Sequence, residues 1–250
     1  MLPLEAYMRE RGRRCDRPAM YQRWRDLLFL HYSVEPEAIR ALVPRPLEID
    51  TYPDEAGNEA AWIGLVPFRM EGVRPRFLPT LPGHGAFPET NVRTYVHLDG
   101  RPAVWFFSLD AASSIACRVG RDAFHLPYKH ASMSTVRSGD DVKYRSNRRS
   151  GEATLAIDAR ISGAPSATVP GTLEFFLIER YLLFCTSGPA WFGGNVHHSP
   201  YRSREAEIVS CSESLVSAAG LDGRPFTHQM FVEGVDVRIG RLRRLANSGV

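Results

Sequence analysis

Apolar residues become dense at YQRWRDLLFLHYSV, from residue 21, and the segments that follow are rich in β-branched and aromatic residues. Gly, Pro and Asp separate these segments, which is the pattern typical of strands joined by turns. The segment KHASMSTVRSGDDVKYRSNR predicts a hairpin, because its SGDD turn joins two stretches in which polar and less polar positions alternate. The other predicted strands cover residues 60–70, 90–98, 103–110, 153–161, 181–186, 191–199, 205–210 and 228–239.

Short helices interrupt this β pattern. One of them should be capped by Asp110 and ended by Gly120, two residue types that favour these positions. We therefore expect a single α+β domain over residues 20–245, predominantly antiparallel β, with short helices packed on or across the sheets. The predicted helices lie within residues 33–47, 109–120, 171–181 and 212–220.

The composition is that of an ordinary globular chain, with 44% apolar residues, 24% charged residues and a formal net charge of +3. Arginines crowd both ends of the chain, but no aromatic–basic interleaving of a nucleic-acid module accompanies them. We therefore expect no nucleic-acid partner and interpret residues 1–19 as a flexible basic arm. The chain has no apolar stretch of membrane-spanning length and no secretory signal pattern, so we expect a cytoplasmic protein without a membrane partner.

Seven segments, spread over nearly everything from Tyr21 to Arg243, carry a resemblance to a known family, and they are YQRWRDLLFLHYSV, WIGLVPFRMEGVRPR, FPETNVRTYV, VWFFSLDA, FHLPYKHASM, FLIERYLLF and NVHHSPY. Together they resemble the YqjF-like family of uncharacterised proteins, also called DUF2071. That family looks like a branch of the acetoacetate decarboxylase-like superfamily. The resemblance implies a cone-like or barrel-like double-sheet fold with an internal pocket.

The link to the superfamily rests on two local patterns. The decarboxylases carry a Gly-Arg-Glu segment followed by a proline and two lysines, and GRDAFHLPYK, residues 120–129, is similar to it. Those enzymes also place an acidic residue at the start of an upstream strand, where AFPETNVRTYV offers Glu89.

This chain departs from the decarboxylase pattern at the residue that the resemblance assigns to imine formation. The first of the paired lysines forms the Schiff base in the decarboxylases, and here that position is Tyr128, with only Lys129 remaining. Successive side chains of a strand point to opposite faces, so Lys129 should point away from the pocket when Tyr128 points into it. The residues therefore argue against Schiff-base chemistry at Lys129, and Tyr128 is either a weak acid or hydrogen-bond donor or an aromatic filler.

Four further residues are candidates for the pocket, each with a structural alternative. Glu89 could be a general acid or base with a raised pKa, or it could form an ion pair with Arg93 or Arg121. Arg121 could bind a ligand carboxylate, pair with Asp122 or cap the preceding helix. Arg93 could line the pocket or cover the outer surface, and His125 is either a pocket acid or base or an ordinary rim residue.

Two functional hypotheses follow. The first is an enzyme with lyase- or hydro-lyase-like acid–base chemistry on a small oxo acid or related metabolite, using Glu89, Arg121 and Tyr128, with Arg93, His125 and Lys129 as binding residues. The second is a non-catalytic protein that binds a small apolar or weakly acidic ligand. The spacing of His, Cys and carboxylate residues fits no metal site, and we expect no cofactor. The resemblance leaves a homo-oligomer of unstated size open.

Overall fold

The computed structural model of this chain describes residues 1–80 and 85–245. Within these ranges the chain is mostly strand, with four short α-helices and one 3₁₀ turn at Ser217–Ala219. The helices are α1 (Leu4–Arg11), α2 (Pro36–Arg40), α3 (Ser114–Phe124) and α4 (Leu173–Ile178). The strands are β1 (Met20–Val34), β2 (Glu48–Ile49), β3 (Tyr52–Pro53), β4 (Glu59–Pro75), β5 (Phe87–Leu98), β6 (Arg101–Ala111), β7 (Tyr128–Ser138), β8 (Asp141–Arg148), β9 (Thr154–Ala167), β10 (Leu182–Ser187), β11 (Ala190–His198), β12 (Arg202–Glu213), β13 (His228–Ile239) and β14 (Arg243–Arg244).

The strands form a ring. From β1 the pairing passes through β4, β5, β6, β7, β8, β9 and β12 to β13, which pairs again with β1. The β10–β11 hairpin lies beside this ring, since β10 pairs with β6 and β11 pairs with β13. Among the described strands only the β6–β7 and β6–β10 pairings are parallel, so the prediction of a predominantly antiparallel α+β fold is confirmed.

Two hydrophobic cores lie on opposite faces of the shared strands. In β1, Leu27 and Phe29 belong to the first core, whereas Leu28 and Leu30 belong to the second. This division follows from the alternation of side chains along a strand, and it explains why LLFL is apolar at every position rather than at every second one. The first core also contains α4 and part of α3 and surrounds the cavity described below.

The sequence placed the limits of α3 wrongly. Its N-cap is Ser113, whose Oγ accepts a hydrogen bond from the Ala116 backbone N–H at 3.2 Å. Asp110 is instead fully buried at the end of β6, where it forms a bidentate ion pair with Arg148. The helix continues through Gly120 to Phe124, and its C-cap is His125, whose backbone is left-handed with a φ of 52°. A second predicted helix, within residues 212–220, also differs from the structure, because only the short 3₁₀ turn forms there.

The N-terminal segment also differs from the flexible arm that we expected. Residues 4–11 form α1, and its Tyr7 is buried against the aromatic rings of α4. The Tyr7 hydroxyl donates to both carboxylate oxygens of Asp50, at 2.8 and 2.9 Å. One turn later, buried Glu10 accepts a hydrogen bond from the guanidinium of Arg101 at 2.9 Å. These contacts hold the helix against the domain.

Among the described residues, we find no helix that combines the length and the apolarity needed to cross a membrane.

Candidate active site

A cavity of about 230 Å³ lies between the strand ring and α3. Most of its wall is apolar and comes from the first core, with α3 closing one side. Polar or amphipathic side chains interrupt this wall, and among the described residues they are Gln22, Trp24, Glu89, Asn91, Arg93, Ser113, Tyr128 and Tyr201. The cavity is therefore an apolar chamber with a small number of polar groups, as is typical of small-molecule sites.

One strand supplies three of these polar groups. Glu89, Asn91 and Arg93 follow one another at every second position of β5 and all line the cavity. The period of a strand sends such residues to one face, while the intervening Val92 points into the second core. All three polar side chains are buried.

Glu89 is a buried carboxyl held by one tyrosine. The Tyr128 hydroxyl donates to Glu89 Oε2 at 2.9 Å, and it is the only side-chain hydrogen-bond partner of Glu89 within the described ranges. Loss of hydration raises the pKa of Glu89 to about 8, against the opposing effect of the Tyr128 hydrogen bond. Nearby Asp110 raises the pKa of Glu89 further. Glu89 is thus mostly a neutral acid at pH 7 and ionises near the upper end of the physiological range.

Gly120 makes room for the tyrosine. A Cβ at Gly120 would lie 2.2 Å from Cδ2 of Tyr128, a distance at which atoms overlap. The helical backbone of α3 can therefore approach the Tyr128 ring only because residue 120 has no side chain. This contact sets the position of the Tyr128 hydroxyl beside Glu89.

Arg93 carries a buried positive charge without a carboxylate. Its Nη2 donates to the Leu177 carbonyl at 3.1 Å and lies 3.4 Å from the Tyr95 hydroxyl, while Nε has no partner. The guanidinium lies 5.3 Å from the ring of Phe29. Within residues 1–80 and 85–245, no carboxylate lies within ion-pairing distance of it. The other buried arginines, Arg148 and Arg180, are paired with Asp110 and Asp50.

A buried guanidinium of this kind is costly unless an anion compensates it. Asn91, one step along the same face of β5, has a buried Oδ1 that also lacks a partner. Asn91 and Arg93 both line the cavity, which is therefore chemically suited to a ligand that carries a negative charge.

Three of the residues predicted from the sequence lie elsewhere. Arg121 is exposed on α3, and its guanidinium donates to the Tyr128 backbone carbonyl at 3.1 Å. Together with His125 it lines a separate surface cleft next to Phe107. Lys129 is exposed on the face of β7 opposite to Tyr128, as the strand period predicts. Arg121 lies outside the cavity because α3 presents Gly120 to the Tyr128 ring and Arg121 to solvent.

Part of the cavity lining was not predicted from the sequence. Gln22 and Trp24 alternate along β1 and meet in the cavity, with the Trp24 indole N–H donating to Gln22 Oε1 at 2.8 Å. The period-2 placement of these side chains was a usable signal. Tyr201 lies between β11 and β12, where no strand period applies, so its position could not be read from the sequence.

Comparisons with known proteins agree with this architecture. Residues 21–236 match the family DUF2071, described as an uncharacterized conserved protein. The uncharacterized protein YqjF of Bacillus subtilis (strain 168) is 38% identical over 229 residues, which are 90% of this chain and 92% of that protein. The predicted family resemblance is therefore confirmed.

Solved structures show the same fold at low identity. Acetoacetate decarboxylase from Legionella pneumophila has a TM-score of 0.64 at 12% identity, covering 92% of this chain and 88% of that chain. The enduracididine biosynthesis enzyme MppR, complexed with pyruvate, has a TM-score of 0.64 at 13% identity, covering 93% of each chain. The expected acetoacetate decarboxylase-like fold is thus confirmed.

Proposed function

This chain belongs to the DUF2071 family, and we propose that its cavity binds a small oxo acid with an apolar body and transfers protons on it through Glu89. The observation that carries the proposal is the pairing, on one face of β5, of an uncompensated guanidinium with a carboxyl of raised pKa. The ligand carboxylate lies on Arg93, and the carbonyl end lies near Glu89 and Tyr128. MppR, which has the same fold, is known in a complex with pyruvate, and this supports an oxo acid as the ligand class.

The spacing of the two groups restricts the ligand. Glu89 and Arg93 are four residues apart on a strand, so their Cα atoms are roughly 13 Å apart. Both side chains reach toward the ligand, but a molecule that meets both still needs a body of several carbon atoms. The apolar wall between them, which includes Phe29 and Leu109, favours a hydrocarbon or aromatic body. Levulinate, whose carbonyl is separated from its carboxylate by two methylene groups, fits this description better than pyruvate or phenylpyruvate, in which the two groups are adjacent.

The chemistry assigned to the site is acid–base chemistry without an imine. Lys129 is outside the cavity, and the other lysine, Lys143, pairs with Asp158 on the surface. In its ionised form, the Glu89 carboxylate accepts the proton from the carbon next to the carbonyl, leaving an enolate. Once Glu89 has taken this proton, the single O–H of Tyr128 turns from the carboxyl group to the negative oxygen of that enolate and stabilises it. Glu89 then returns a proton to the carbon, so the net change is exchange of one hydrogen with solvent.

Hydrogen exchange tests this proposal. Pyruvate, acetoacetate, levulinate and phenylpyruvate are incubated with the protein in D₂O, and loss of the C–H signal next to the carbonyl is followed by ¹H NMR. Exchange above the uncatalysed rate is expected with levulinate, and Glu89→Gln should reduce it by about 10²-fold or more. Lys129→Ala is the matched control and should leave the rate unchanged. Equal rates for wild type and Glu89→Gln would contradict the catalytic role.

The pH profile gives a second readout of the same step. Because the ionised carboxylate is the base, the exchange rate should rise with pH and level off above about 8, where Glu89 is ionised. A rate that falls through this range would assign Glu89 the role of acid instead.

A second candidate function is binding without turnover. The observation that favours it is the predominantly apolar wall of the cavity, which is more extensive than a small oxo acid requires. Saturable binding of an apolar carboxylic acid, with no exchange above background for any of the four oxo acids, would select this function.

A further inference from the structure

The two arginine-rich ends of the chain meet in a surface cleft. Its volume is about 610 Å³, and Arg14 and Arg17 reach it from the N-terminal segment, whereas Arg241 and Arg243 reach it from the segment after β13. Arg76, which follows β4, contributes a fifth guanidinium. From the sequence, Arg14 and Arg17 were assigned to a flexible arm, and no local pattern indicates that they meet Arg241 and Arg243, more than 200 positions away.

Backbone hydrogen bonds fix the three segments relative to one another. Ala19 N–H donates to the Ile239 carbonyl at 2.7 Å, and Arg76 N–H donates to the Ala19 carbonyl at 3.0 Å. Gly240 N–H donates to the Asn195 carbonyl at 2.8 Å. The arginines therefore extend from an ordered backbone, which keeps their positive charges together.

These five charges are almost uncompensated. Within residues 1–80 and 85–245, none of the five guanidinium groups forms an ion pair or a side-chain hydrogen bond, and Asp16 is the only acidic residue of the lining. Other surface arginines are in part paired, as Arg145 is with Asp158 and Arg204 is with Glu233, so in the described part of the chain the convergence of five unpaired guanidinium groups distinguishes this cleft. Like charges held together without counter-charges create a local positive potential that favours a multiply charged anion.

We infer that this cleft binds a compact ligand that carries two or more phosphate groups. Guanidinium groups bind phosphate through paired N–H donors, and several of them converge here in a concave site. Among the described residues, the lining contains no aromatic side chain on which a base could stack, and Phe77, whose ring Arg76 contacts, lies outside the lining. Single-stranded nucleic acid binds through such stacking platforms, so the cleft favours a compact polyphosphate over a polynucleotide.

The cleft is separate from the cavity but adjoins it. Pro75 and Ile239 line the cavity, whereas the next residues, Arg76 and Gly240, line the cleft. The two sites thus share a wall, and the phosphate site stands independently of the function proposed for Glu89.

Isothermal titration of the full chain with sodium tripolyphosphate, at physiological ionic strength, tests the inference. We expect saturable binding at one site, and Arg17→Ala/Arg241→Ala should weaken it by about tenfold or more. The matched control is Arg118→Ala/Arg149→Ala, which removes the same charge from exposed positions outside the cleft and should change the affinity by less than about twofold. Thermal melts of both double variants check that each is folded.

Three results would overturn the inference. Absence of tripolyphosphate binding would remove the site, and equal weakening in the two double variants would reduce it to a general effect of net charge. Tighter binding of a mixed-sequence single-stranded DNA than of tripolyphosphate would make the surface a nucleic-acid site. Inorganic phosphate should bind much more weakly than tripolyphosphate, and equal affinity would contradict a site for two or more phosphates.

Discussion

Glu89 shows at the residue scale how burial alone can prepare a side chain for chemistry. No ion pair lowers its pKa, and the Tyr128 hydrogen bond only partly offsets the lost hydration. In an unfolded chain the same carboxyl would titrate near its ordinary value of about 4.3. Between that value and about 8, the folded state holds a proton that the unfolded state has released.

This difference makes stability depend on pH. Since the folded state binds more protons, the free energy of unfolding contributed by Glu89 falls as pH rises from about 4.3 to about 8. Relative to Glu89→Gln, the wild type should lose on the order of 4 kcal/mol across this window. Urea unfolding of both proteins at several pH values between 5 and 8 measures the difference. A constant difference across the window would show that Glu89 is ionised throughout in the folded protein.

The residues of the site could be predicted from the sequence better than the contacts between them. Glu89 and Tyr128 were both candidates, and the strand period correctly separated Tyr128 from Lys129. The hydrogen bond between Glu89 and Tyr128 joins residues 39 positions apart, and no local pattern encodes such a contact. Arg121 was expected in the pocket but lies outside it for the same reason. The resemblance indicated its residue type, but not which side of α3 faces the cavity.

At the scale of secondary-structure elements, the contact between α3 and β7 positions the Tyr128 hydroxyl in the site. Gly120 lies within α3, where a glycine ordinarily destabilises the helix. Here the missing side chain lets the helix backbone approach the Tyr128 ring closely. We expect Gly120→Ala to destabilise the protein by about 1–3 kcal/mol through this overlap, despite the better helix propensity of alanine. Chemical denaturation measures the cost, and the NMR titration of Glu89 should shift as Tyr128 moves.

Two variants make the Gly120 prediction specific. Gly223→Ala is the matched control, since its Cβ would meet nothing closer than Glu213 Oε1 at 4.0 Å, and it should change stability by less than about 0.5 kcal/mol. In a Tyr128→Ala background the cost of Gly120→Ala should shrink, because the ring is gone. An undiminished cost there would place the strain elsewhere.

Whole elements were predictable to different degrees. The β7–β8 hairpin was correct because SGDD, the alternation and the strand lengths all agree locally. The helix α1 was missed because the segment from Arg9 to Arg17, which includes its last residues, is rich in arginine, and this is also the composition of a free arm. Its order depends on Tyr7, Asp50 and Arg180, which meet only in the folded protein.

At the scale of the whole molecule, the ring joins the two cores into one structure. β1 contributes alternate residues to both cores, so neither core can lose its packing without exposing the opposite face of the same strand. We expect one cooperative unfolding transition, with calorimetric and van't Hoff enthalpies that agree. Differential scanning calorimetry of the full chain checks this, and two resolved transitions would show that the cores fold independently.

Calorimetric titration with levulinate and its methyl ester, using wild type and Arg93→Met, tests whether the buried guanidinium binds the ligand carboxylate. If the buried guanidinium receives the ligand carboxylate, wild type should bind the acid at least about tenfold more tightly than the ester, and Arg93→Met should lose that preference. Lys129→Met, the matched control on the outer face, should keep it. Equal affinity of wild type for acid and ester, or an unchanged preference in Arg93→Met, would contradict the account.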